Sequence, residues 1–145
     1  MIKERISFVI PLAMDNNKSG TPVLIYEMPQ GSHVVDLAFG VFFIGLRAGK
    51  DYSLGFDVFN ENETPIPIDS KKYNNHIFFN VAEANDGEVI VSASMKNIFR
   101  NISINTPGIF EVRASLVDPK SKDIIDVKSS YFDVKSVGAI RNEFR

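Results

Sequence analysis

Residues 15–27, "DNNKSGTPVLIYE", carry side-chain oxygens at alternate positions. Asp15, Asn17 and Ser19, followed by Gly20, match the opening of a calcium loop, where alternating oxygen ligands surround the ion and Gly permits the sharp bend. The match then breaks. The bidentate carboxylate that completes such a loop falls due at Tyr26, Glu27 comes one residue late, and Pro22 interrupts the segment. A polar hairpin turn accounts for these residues better. The same reading holds for "NENE" at 60–63 and "EAND" at 83–86, whose carboxylates and amides suit solvated loops.

Acid–base chemistry has little to work with. The two histidines, His33 and His76, stand apart, and neither sits at a known nucleophile spacing from Ser or Asp. Asp36, Asp57, Glu111, Asp126 and Asp133 are strand acids that a fold could bring together as a glycosidase-like pair. Solvent-facing strand positions call for polar residues in any case. With no cysteine, disulfides, thiolate zinc sites and cysteine nucleophiles are excluded. Three N-x-S/T sequons, at Asn17, Asn62 and Asn101, are what an Asn-rich chain produces by composition. The expectation is a non-enzymatic protein with no cofactor and no metal.

The elements that would position these residues read as strands. Ile6, Phe8, Ile10, Leu12 and Met14 alternate with Arg5, Ser7 and Val9. Tyr52, Leu54, Phe56 and Val58 alternate with Ser53, Gly55 and Asp57. Val89, Val91, Ala93 and Met95 share one phase, and so do Phe110, Val112, Ala114 and Leu116. Successive side chains of a pleated strand point to opposite faces, so each pattern describes a half-buried strand. Only "DSKKYNN", 69–75, offers a short helix, with Asp69 or Ser70 as its cap. Turn residues separate the strands at "DNNKSG", "RAGKD", "NENETP", "EANDG" and "NTPG". Roughly seven to nine short strands with such turns predict an all-β, two-sheet antiparallel β-sandwich. No linker divides it, so one domain spans 1–145, with 135–145 as a docked or frayed tail.

The segment "TPGIFEVRASLVDPKSKDIIDVKSSYFDV", 106–134, reads as two strands around the turn "DPKSKD". Ile125 and Val127 share one parity and Phe132 and Val134 the other, which predicts a β-bulge near Ser129–Ser130. This pattern resembles the last two strands of bacterial immunoglobulin-like sandwich domains, with a weaker echo in "AGKDYSLGFDVFN", 48–60. The resemblance implies an immunoglobulin-like fold class and transfers no functional residue. The core Trp and paired Cys of antibody domains are absent.

Net charge of −2 with mixed signs gives no electrostatic grip on nucleic acid or an anionic membrane. The longest apolar run, "LAFGVFFIGL" at 37–46, is about half the length of a membrane-spanning helix. The N-terminal stretch lacks the uninterrupted apolar segment of a signal peptide, so a cytoplasmic location is expected. The segment "VVDLAFGVFFIGL", 34–46, is apolar on both faces. Val35, Leu37, Phe39, Val41 and Phe43 line the core, leaving Ala38, Phe42 and Ile44 outward. Leaving Phe42 and Ile44 in water forfeits roughly 1.5–3 kcal/mol per side chain, so a cover is expected. That cover is an intramolecular lid from the 61–76 loop or the C-terminal tail, a second copy or protein partner with Ala38, Phe42 and Ile44 as the interface, or an apolar ligand in a groove. The setting expected from the Asn- and Lys-containing, Cys-free composition is a bacterial or phage assembly. The alternative is a carbohydrate- or small-ligand-binding module using Tyr26, Tyr73, Asn74, Asn75 and His76.

Overall fold

The computed structural model describes residues 3–14, 20–68, 76–82 and 90–137. Among them are nine strands and no helix: β1 (Arg5–Pro11), β2 (Ile25–Met28), β3 (Val34–Arg47), β4 (Asp51–Phe59), β5 (Pro65–Ile66), β6 (His76–Asn80), β7 (Ile90–Ser103), β8 (Gly108–Val117) and β9 (Ile124–Ser136). The short helix expected at 69–75 lies outside the described residues. One sheet has the order β1-β3-β7. The other runs β2-β9-β8-β4, with β5 and β6 placed end to end along the far side of β4. This is a β-sandwich, as the alternation predicts.

The inward rows are those read from period two. Leu37, Phe39 and Val41 of β3 have no solvent exposure, nor do Tyr52, Leu54, Phe56 and Val58 of β4. Val112, Ala114 and Leu116 of β8 complete the facing layer. Phe39 spans the two sheets, its ring centroid 5.6 Å from Phe132 and 6.1 Å from Phe56. Phe56 in turn meets Phe99 edge-on at 5.3 Å, and Phe132 stacks on Phe110 at 5.8 Å. Phe39, Phe56, Phe99, Phe110 and Phe132 thus form a Phe-centred core in a chain without Trp.

Three expectations are corrected. First, the sandwich is not wholly antiparallel, because β2 runs parallel to β9 from Ile25↔Asp133 to Met28↔Ser136. The chain leaves β1 beyond Pro11 and crosses to the opposite sheet, arriving along β9 in the same direction. Second, β8 and β9 pair without interruption from Gly108↔Val134 to Leu116↔Asp126. No bulge interrupts Ser129–Ser130. The irregularity falls at Leu116/Val117, which leaves Ile125 as the extra residue. Asp126 and Lys128 keep the parity of Phe132, and Val127 turns outward. The polar pair is tolerated there because the Ile6 amide of β1 donates to Asp126 Oδ2 at 2.9 Å and Lys128 lies 3.5 Å from Oδ1. Third, the pairing of β1 with β3 shifts between Ile6 and Phe8. Ile6 and Val9 point into the core, whereas Phe8 points out.

Replacing Phe39 by Ala removes the ring that bridges the sheets. Chemical denaturation is expected to show a loss of about 3–5 kcal/mol with little change in the denaturant slope. A loss below the cost of a single methylene would show that the sheets close by other contacts.

Candidate functional site

The outer face of the three-stranded sheet is apolar because β1 slips by one residue. The shift sets Phe8 opposite Phe42, and their rings stack 4.5 Å apart. Phe42 is half-buried by this contact, while Phe8 stays 45% exposed and Ile44 51% exposed. Ile98, opposite Ala38 on β7, adds a further side chain at 43% exposure. Between them lies Gly40. A Cβ there would meet Leu12 Cδ1 at 3.1 Å and Phe42 at 3.2 Å, so Leu12 and Phe42 lie against its bare backbone. A shallow concavity of about 400 Å³ opens beside Phe8, Phe42 and Ile44, with Ser92 and Ser94 on its far side. Its chemistry is that of an apolar centre with a hydroxyl rim.

Ala38 departs from this picture. It has no exposure, and its carbonyl accepts from the Leu12 amide at 2.8 Å. It is internal structure, and its place on the outer face passes to Phe8. Sequence reasoning missed Phe8 because strict alternation groups it with Ile6; no local signal marks the slip.

The proposed ligand-binding residues do not come together. Tyr26 is buried, its ring edge-on to Phe132, and its phenol oxygen lies 2.8 Å from the Leu12 carbonyl and 2.7 Å from that of Ala38. A ring held in this way offers no face to a sugar. Tyr73, Asn74 and Asn75 lie outside the described residues. His76, on β6, is half-buried with Nδ1 3.2 Å from Ser53 Oγ. Its ring lies over Gly55, where a Cβ would come within 2.9 Å of Cε1. The exposed aromatics Phe78 and Tyr131 stand on β6 and β9, with β4 and β8 between them.

Four of the five strand acids are engaged one by one. Asp36 accepts from the Asn101 amide and meets Arg100 at 3.4 Å. Glu111 pairs with Arg113 at 3.1 Å, Asp126 is tied to β1, and Asp133 meets Lys135 at 3.4 Å. Asp57 faces Arg113 across the strand pair. At 60–63 the oxygens serve the turn: Asn60 Oδ1 accepts from the amides of Asn62 and Thr64, and Glu61 accepts from Ile109. Asp15, Asn17, Ser19 and 83–86 lie outside the described residues. Among the described residues no three His, Cys, Asp or Glu side chains gather as a metal site, and no helix is long and apolar enough to cross a membrane.

No protein-family profile matches the chain, and no curated sequence does. The fold is similar to part of a crystal structure of a β-glucuronidase from Bacteroides uniformis. The similarity has a TM-score of 0.56 and 10% identity over 89% of this chain. A second glucuronidase of that organism, bound to a cyclophellitol-derived aziridine, matches with a TM-score of 0.48 at 12% identity. The chain spans 14% of the length of each. At such identity the likeness concerns the fold alone.

Burial pushes the phenols of Tyr26 and Tyr52 from 10.0 up to about 12. For Tyr52, the neighbouring Glu4 carboxylate, which accepts from its hydroxyl, adds to that rise. The folded state thus holds its protons more tightly than the unfolded chain. The resulting stability is complete below pH 10 and is lost as the pH climbs towards 12. Urea midpoints should therefore fall between these limits. Tyr26→Phe, costing about 1–3 kcal/mol at neutral pH, should show a shallower alkaline decline. An equally steep decline in the variant would assign the titration elsewhere.

Proposed function

We propose that this chain is a non-enzymatic β-sandwich that acts through protein–protein contacts made by the outer face of the β1-β3-β7 sheet. The contact centre is Phe8, Phe42 and Ile44, and the partner is a second copy or another protein of a bacterial or phage assembly in the cytoplasm. One observation carries this reading: a stacked Phe pair and an Ile lie together on a sheet face where a sandwich strand ordinarily meets water. Interfaces draw their energy from such aromatic and aliphatic centres inside a polar rim, here Ser7, Ser92 and Ser94. The engaged acids and the buried Tyr26 support a binding role over hydrolysis or sugar stacking.

Phe42→Ser and Ile44→Lys test the face without touching the inward row. Each variant should keep the parent's strand spectrum; Ile44→Lys should hold its stability to within about 1 kcal/mol, while Phe42→Ser, which gives up the Phe8 stack, should cost about 1–3 kcal/mol. Sedimentation should show weakened association, by at least tenfold for the charged variant. Unchanged association by both variants would overturn the assignment of this face.

A further inference from the structure

At one end of the sandwich the chain around β5 faces the turn between β7 and β8 across a concavity of about 500 Å³. That volume lies within the range of small-molecule sites, about 300–1,000 Å³. Residues from 60–67 form one wall and residues from 103–110 the other. Both walls are stiff. The Asn60 amide donates to the Thr64 carbonyl at 3.0 Å, and Asn60 Oδ1 accepts from the amides of Asn62 and Thr64 at 2.9 and 3.0 Å. Pro65, Pro67 and Pro107 hold their own φ angles. Little ordering is left to be done when such a site fills.

Glu61 joins the walls. Its Oε1 accepts from the Ile109 amide at 3.0 Å, and its side chain crosses Gly108 so closely that a Cβ there would stand 3.0 Å from that oxygen. Among the described residues nothing bonds to Oε2, and no Lys, Arg or His lines the cavity. This sets what the site can take. An anion would meet an uncompensated carboxylate, and no three His, Cys, Asp or Glu gather for a metal among the described residues. A sugar ring stacks on an exposed aromatic face, whereas the lining ring, Phe110, is 3% exposed. A guanidinium favours both oxygens of a carboxylate, and Ile109 already holds one. An ammonium is a compact point charge that needs one carboxylate oxygen and further acceptors, which the amides and hydroxyls of Asn62, Thr64 and Asn105 supply on the same walls. Its methylene stem suits Pro65, Ile66 and Pro67. We propose that this cavity binds a primary alkylammonium group, carried by a free aliphatic amine or by a lysine side chain of a partner protein, with Glu61 as its ion partner. The site shares no residue with the Phe8–Phe42–Ile44 patch and stands apart from the reading of that face.

Backbone amide shifts of the labelled chain report the site directly. With diaminopentane or Nα-acetyl-lysine methylamide added to about 20 mM, a range suited to millimolar affinity, the amides within 60–64 and 105–110 should move and those of β1 and β3 should not. Nα-acetyl-norleucine methylamide, which lacks the ammonium, should leave them in place. Movement with the diamine alone assigns a free amine, and movement with the lysine derivative assigns a partner's side chain. Glu61→Gln keeps an acceptor for Ile109 and removes the charge, so the fold should hold while affinity falls by about tenfold. If that variant misfolds, the contrast between the lysine and norleucine derivatives still decides. Stationary amides with both amines overturn the site. So does an equal response to the norleucine derivative, or a folded Glu61→Gln chain that binds as tightly as the parent.

Discussion

Everything in this sandwich depends on the contact of Phe39 with the opposite sheet. Its ring reaches Phe56 and Phe132 across the interior, and those rings carry the packing on to Phe99 and Phe110. Aromatic rings bury large areas at small entropic cost and prefer offset or edge-on neighbours. A chain without Trp or disulfide can therefore close two sheets around a Phe cluster. The hydroxyl of Tyr26 extends that closure: from β2, in the larger sheet, it reaches the carbonyls of Leu12 and Ala38, which belong to the smaller sheet's side.

The surface follows from the interior by register. Once Ile6 and Val9 enter the core, the slip in β1 has to expel Phe8 to the other face. There it meets Phe42, whose partner row on β3 is held outward by Phe39, Val41 and Phe43 pointing in. The apolar outer face is thus a by-product of how the inner face is filled, and what remains exposed is available for contact. The polar groups tell the opposite story. Asp36, Asp126, Glu61 and Asn60 all close backbone or ion-pair contacts within the chain, so they build turns and strand junctions.

The likeness to a segment of Bacteroides uniformis β-glucuronidase fits this division between frame and surface. At 10% identity two chains can share the stacking of two sheets while sharing few side chains outside the pattern of burial. A sandwich needs apolar residues at alternate positions and turn residues between them, and many sequences meet that requirement.

The residues alone determined the alternation, and with it the inward rows of β3, β4 and β8 from Leu37 to Leu116. They also determined the double-sided apolar character of 34–46, because a face must be greasy whether or not it is covered. Tertiary structure decided what short-range pattern cannot encode. It put the parallel crossover at β2 and β9, the slip at Phe8 and the extra residue at Ile125. It also buried Tyr26 and Ala38, which the sequence left exposed to choice. Alternation is a property of neighbours two residues apart, whereas register and burial are set by whichever distant strand arrives alongside. Only the folded chain brings those strands together.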